Sequence, residues 1–484
     1  MGEGQGEGKM TTTSPSQTIS QSSCDNQSSD TGKCARFPLM FLFCSAAVWL
    51  FVSSLLALIA SLKFHKPDLF ADFAWLTYGR IYPASTNAFI YGFAIPAGLG
   101  VCLALLSRIG QTRIMLPGLA AVGALVWNFG ALLGVAGILN GDSAGFDWLE
   151  IPRYASPILF IGYALIGISA LVTSSHRRDW QLTVAQWFLI AALFWFPWIF
   201  STANLLLVFA PVRGVVQAVI NWWFVNNLKV WFALVGLGTI FHLVPAGLNR
   251  PIYNRSLALF SFWLFLFIAP WAGIPVGAPV PAWIPAVSTV ASVLLIVPVI
   301  GIVMNICATI GGDCSAIRGN IALRFLQWAL PALVISILIG AATAIPQVGA
   351  ITGFTWLGPA VSRFMLFGFF AMTIFGAIYE IVPRLVQGDF FCPKCARMQL
   401  FSAKFGIFIF FIALAAGGVV EGLALAKPGV AFPEVLQKTL MFLRVSTLGD
   451  MLILFASFCC VANLLRVCIG CCRACCGKKC GVSA

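Results

Sequence analysis

Hydrophobic positions in this chain fall into long, nearly unbroken runs separated by short polar stretches, with neither strand-like alternation nor a one-sided helical stripe. A run of about 20 apolar residues spans the hydrocarbon of a bilayer, and its backbone must satisfy its own hydrogen bonds there, so such runs read as membrane helices. The pattern predicts spans near 37–62, 85–107, 114–139, 156–174, 184–210, 215–245, 255–275, 285–310, 323–348, 356–383, 400–425 and 438–466. The expected fold class is therefore an all-α integral membrane protein with about twelve transmembrane helices.

Composition supports that class and removes others. With 60% hydrophobic and 9% charged residues over 484 positions, the chain is not an ordinary water-soluble domain. The formal net charge of +13 raises the question of nucleic acid, but the basic residues are scattered between spans and form no basic domain. Most Lys and Arg occupy the two tails and alternate loops, so the positive-inside rule predicts cytoplasmic termini, in keeping with an even number of spans. Three regions follow. Residues 1–36 form a polar tail expected to be disordered, 37–466 the membrane domain, and 467–484 a Cys-rich basic cytoplasmic tail. The Met-Gly start does not complete a myristoylation pattern, because position 6 is Gly.

Several motifs recur in an order that identifies a family. The run Gly79-Arg80-Ile81-Tyr82-Pro83-Ala84-Ser85-Thr86-Asn87-Ala88 resembles the start of the second helix of subunit I of cbb(3)-type haem-copper oxidases, G-R-x-x-P-x-H-T-N-A. Asn221-Trp222-Trp223-Phe224-Val225-Asn226-Asn227 resembles that family's W-W-Y-G-H-N, and Trp271-Ala272-Gly273 its W-A-G-P-H-H. Val244-Pro245, Arg250-Pro251-Ile252-Tyr253 and Phe262-Trp263 resemble the turn into the seventh helix. In the tenth span, Phe375-Gly376-Ala377-Ile378-Tyr379 and Pro383-Arg384 resemble F-G-M-I-Y and P-R, which follow the family's H-V-H pair. The resemblance covers most of the twelve spans and implies a haem-copper oxidase subunit I-like bundle.

It also implies a ligand set that this chain lacks. Ser85, Val361 and Arg363 stand where the family has haem ligands, and Asn226, Pro275 and Val276 where it has copper ligands. Ala269 replaces a redox-active Tyr. The family needs six histidines for haem b and copper, whereas this chain has three, His65, His176 and His242, none at those positions. No haem or copper is expected. Lys229 follows Asn226 by three residues and shares its helix face, and an ionisable group inside a span is a functional candidate. Lys229, Arg363 and Glu380 are the candidate pocket charges, with Lys229 and Arg363 expected where metal ions sit in the family and Glu380 a candidate partner for Lys229. Glu421 and Asp450 are expected to be interfacial.

Cys392-Pro393-Lys394-Cys395 is a lone C-x-x-C, half of a structural zinc pattern, expected as a reduced pair without metal. Eight further cysteines, from Cys459 to Cys480, are interleaved with basic residues, and contact with an anionic inner leaflet is the reading that assumes least. Three function classes stay open: a catalytically silent structural or assembly subunit of a respiratory electron-transfer complex, an active terminal oxidase or nitric oxide reductase subunit, and a transporter or ion path through the vacated pocket. The expected surroundings are membrane lipid and, by the resemblance, cytochrome c-type oxidase subunits in a bacterial inner membrane, with no nucleic acid.

Overall fold

The computed structural model describes residues 17–312, 314–388 and 391–480, and all regular structure among them is helical. Twelve helices carry the architecture. They are α1 (Gln17–Leu62), α2 (Tyr78–Ile109), α3 (Pro117–Asn140), α4 (Ser156–Ser175), α5 (Val184–Phe209), α6 (Val215–Leu248), α7 (Arg255–Trp271), α8 (Trp283–Ile310), α9 (Ile321–Thr343), α10 (Leu357–Val386), α11 (Pro393–Leu425) and α12 (Phe432–Cys480). Eleven are long and apolar enough to cross a membrane, and α7 falls short. The 255–275 span is cut at Trp271 because Ala269–Trp271 tightens into a 3-10 turn and the backbone then becomes extended at Ala272. Gly273, with φ of 95°, turns the chain where a side chain would be strained.

Successive helices run antiparallel, so the even-numbered set returns the chain to the face where it began. At that face Cys44 Sγ of α1 lies 3.6 Å from Cys468 Sγ of α12. We call it the terminal face. Residues 1–16 and 481–484, and the tail side chains from Cys471 onward, lie outside the described residues.

Three helices form the interior. The apolar windows of α2 and α10 are each 94% buried and that of α6 78%, against half or less for the others. These are also the helices that bear most of the candidate residues. α2 and α10 each contain a π-helical stretch, Ala88–Ala94 and Phe364–Ala371, and the two meet with the Phe89 and Phe367 rings 4.2 Å apart. Such wide turns displace side chains by a residue and occur frequently at functional sites.

Close helix contacts in a bilayer depend on small residues, since lipid competes for apolar surface. Gly449 of α12 meets α11 at Gly406 and Phe410. A Cβ on Gly449 would lie 2.6 Å from Phe410 Cβ and 2.7 Å from the Gly406 carbonyl oxygen. That approach sets the depth of the next residue, Asp450.

The connection 141–155 between α3 and α4 folds back against the bundle. Trp148, Leu149, Glu150 and Ile151 are all buried, and Trp148 holds a positive φ of 63°. The Trp148 carbonyl accepts the Tyr91 hydroxyl at 2.9 Å, and Glu150 Oε2 accepts Asn87 Nδ2 at 2.6 Å. These bonds hold the loop on α2. Burial pushes the Glu150 carboxyl up to about 8, and the Asn87 bond only partly opposes it.

The folded chain therefore keeps a proton on Glu150 that the unfolded chain loses near its ordinary 4.5. Between these values the native state binds more protons, so stability falls as pH rises from 4.5 to about 8. Glu150→Gln keeps an acceptor for Asn87 and removes the titration. Thermal melts of detergent-solubilised protein across this window should show the wild-type midpoint falling more steeply with pH than that of the variant.

Candidate functional site

The first region is a cavity of about 350 Å³ among α6, α7, α9 and α10. Its wall includes Asn226 and Lys229 of α6, Ala269 of α7, Pro275 and Val276 from the following turn, and Val361 of α10. The structure thus brings together six of the sequence-selected positions that lie up to 135 residues apart, from Asn226 to Val361. Asn226 is committed to structure. Its Nδ2 donates to the Ala269 carbonyl at 2.9 Å, and its side chain packs on Gly273, where a Cβ would sit 2.5 Å from Asn226 Cβ.

Lys229 forms part of the same wall, with Nζ 5.5 Å from the Trp148 ring centroid. That ammonium lies near the re-entrant loop. Burial pushes the Asp147 carboxyl upward and the Lys229 charge pulls it back. Asp147 is itself fixed by Asn221, which donates Nδ2 to the Asp147 carbonyl at 2.9 Å and accepts its N–H at 3.2 Å. The partner of Lys229 is therefore the loop and not Glu380. Glu380 sits at the terminal face, where it pairs with Arg108 at 3.7 Å and with Arg384 one turn on, and it is no part of the cavity.

The second region lies between α2, α10 and α12. Ser85 is buried and turned on its own helix, donating Oγ to the Tyr82 carbonyl at 2.8 Å while its carbonyl accepts Ser53 Oγ at 2.8 Å. Arg363 does not line the cavity as expected. Its NH2 donates to Asp450 Oδ1 at 2.7 Å, and its guanidinium carbon stands 4.9 Å from the Phe410 centroid and 5.9 Å from that of Phe367. Asp450, expected at the interface, is 2% exposed. One turn below, the Phe89–Phe367 contact closes the gap between α2 and α10.

Glu421 accepts the Trp356 N–H at 2.9 Å and anchors the start of α10 to α11.

These donors do not fit the family's metals. Pro and Val side chains offer no ligand atom, the Asn226 amide is already hydrogen-bonded, and a guanidinium only donates. The Arg363–Asp450 pair faces Tyr82, one turn before Ser85, and the tilted Phe89 and Phe367 rings meet one turn beyond it. The three histidines lie elsewhere: His65 bonds Thr447 at 3.1 Å, His176 bonds the Val172 carbonyl at 2.9 Å, and His242 lines a separate pocket with Asn249 and Arg250.

Cys392 and Cys395 are free thiols at the start of α11, where the Cys392 N–H donates to Asn463 Oδ1 at 3.0 Å. Among the described residues no third His, Cys, Asp or Glu joins them in a metal-sized cluster. The re-entrant loop was missed by motif reading. Its signal was an apolar Trp148-Leu149 flanked by two carboxylates, unusual for a short exposed connection.

Removing one member of a buried ion pair leaves the other charge uncompensated, at a cost of about 3–5 kcal/mol, whereas an apolar pair of similar volume is tolerated. Arg363→Met should therefore lower the thermal midpoint strongly, and Arg363→Met with Asp450→Leu should recover most of the loss. Equal midpoints for the single and double variants would contradict the pairing.

Residues 38–452 match the family described as cytochrome C and quinol oxidase polypeptide I. The chain is 25% identical over 388 residues to the cbb3-type cytochrome c oxidase subunit CcoN1 of Stutzerimonas stutzeri, covering 78% of this chain and 81% of that one. It is 25% identical over 394 residues to cytochrome c oxidase subunit 1 of Rhodobacter capsulatus, covering 78% and 73%. A solved haem-copper terminal oxidase dimer superposes with a TM-score of 0.66 at 12% identity, covering 89% of this chain and 84% of that chain, a likeness of fold. The match over most of its length makes this chain a member of the cytochrome c and quinol oxidase polypeptide I family, with a haem-copper oxidase subunit I-like fold in the membrane.

Proposed function

We propose that this chain is a catalytically silent relative of oxidase subunit I, serving as a structural or assembly subunit of a respiratory electron-transfer complex. The observation that carries the reading is the buried Arg363–Asp450 pair at 2.7 Å, which sets a salt bridge against Tyr82, one turn before Ser85, where the family resemblance assigns a haem ligand. Imidazole is the group that haem iron and copper require there, and Ser85, Val361, Arg363, Asn226, Pro275 and Val276 do not supply it. An iron-free interior still offers partners the outer surfaces of a conserved bundle.

The relatives' names tie them to cytochrome c oxidases, so cytochrome c-type subunits are the partner class to seek. The distribution of Lys and Arg supports cytoplasmic termini, and the bacterial relatives support an inner-membrane setting.

Purification in mild detergent, followed by a reduced-minus-oxidised haem spectrum and copper analysis, tests the reading. The expected result is no stoichiometric b-type haem or copper, together with co-purifying cytochrome c-type subunits. Stoichiometric b-type haem would restore the active-oxidase reading. Absence of both haem and partner subunits, with solute movement in proteoliposomes that depends on Lys229, would favour transport through the 350 Å³ cavity.

A further inference from the structure

At the terminal face, α9, α11 and α12 leave an open groove of about 850 Å³ that belongs to neither region described above. Arg324 comes from the first turn of α9, and Lys394 and Arg397 from the first two turns of α11, so three cations meet at one membrane interface. Lys404 lies deeper in the same groove. Its Nζ stands 4.6 Å from the Trp328 centroid and 4.5 Å from the Phe405 centroid, a cation held on aromatic faces.

None of these four cations is paired with a carboxylate among the described residues. Elsewhere on this face the opposite arrangement holds, with Arg108 and Arg384 sharing Glu380. Four neighbouring positive charges repel one another, and no carboxylate among the described residues offsets them. The groove is also apolar toward the bilayer. Trp328 is 46% exposed and Phe401 61% exposed, and Leu452 and Phe455 of α12 close the side away from the cations.

The occupant that satisfies both halves carries a negative head and a hydrocarbon body. A free phosphate ion would leave the Trp328, Phe401 and Phe455 surfaces uncovered by anything it contains. A zwitterionic lipid would bring a quaternary ammonium to a cluster of four cations. We propose that the groove between α9, α11 and α12 binds an anionic phospholipid, its phosphate on Arg324, Lys394 and Arg397 and its acyl chains along Trp328, Phe401 and Phe455. Basic pockets between helices at the inner leaflet suit such head groups, and the long cationic side chains reach the interface while their stems stay in hydrocarbon. The proposal does not depend on whether the chain is catalytic.

The test uses the full-length protein, stripped of lipid in detergent and titrated with phosphatidylglycerol or phosphatidylcholine carrying brominated acyl chains, which quench nearby tryptophan. Wild type should bind phosphatidylglycerol in preference, with a quenching component that Trp328→Phe removes. Arg324→Gln and Arg397→Gln, first matched to wild type in thermal midpoint, should each weaken phosphatidylglycerol binding about fivefold. Arg178→Gln, in another loop of the same face, should leave it unchanged. Equal affinity for the two lipids, or quenching that persists in Trp328→Phe, would overturn the proposal. Displacement of the lipid by inorganic phosphate beyond that by chloride at matched ionic strength would make this a free-phosphate site and overturn it as well.

Discussion

A salt bridge within the membrane interior constrains much of this bundle. Arg363 and Asp450 lie 87 residues apart, on α10 and α12, and each alone would be an expensive charge in hydrocarbon. Together they hold one of the two most buried helices against the terminal hairpin. Gly449 makes the pairing geometrically available, since a side chain there would hold α12 away from α11. The guanidinium is further covered by Phe410 and Phe367, and Tyr78 and Tyr82 face its charge from α2. Three helices thus converge on one cation. It lies against Tyr82, one turn before Ser85, and places a hydrogen-bond donor there.

The two regions that bear the selected motif positions differ in packing. Between α2 and α10 an ion pair and a tilted pair of Phe rings pack on the turns either side of Ser85, while behind Asn226 a cavity persists with Lys229 in its wall. Packing explains the contrast. α2 and α10 touch closely enough for Phe89 and Phe367 to fill the gap, whereas α7 ends early at Trp271, and the extended backbone after it packs on Asn226 through Gly273 but leaves space toward α9. The re-entrant loop compensates in part by bringing Trp148 and Asp147 toward the Lys229 ammonium.

Much of this was legible in the residues. Apolar run lengths marked the membrane helices, and the ordered motifs around Arg80, Trp222, Trp271 and Tyr379 pointed to the family that the chain matches. The motif offsets also selected five residues that line one cavity. What stayed hidden were pairings across helices. Lys229 looked toward Glu380 only because both are charges in spans, and Asp450 looked interfacial only because run boundaries in a long apolar helix are blurred. The basic groove was equally hidden, since Arg324 and Lys394 are seventy positions apart.

By itself the sequence determined that the chain is a helical membrane bundle of the oxidase subunit I type, and which side chains stand at the motif positions. Both are local properties, set by the length of apolar runs and by which side chain stands at each motif position. Only the tertiary structure decided that Arg363 is neutralised by Asp450, that Lys229 meets the 141–155 loop, and that four cations share one groove. Charge compensation in a low-dielectric interior depends on distances of a few ångströms between separate helices, and helical periodicity carries no information about which neighbour lies there.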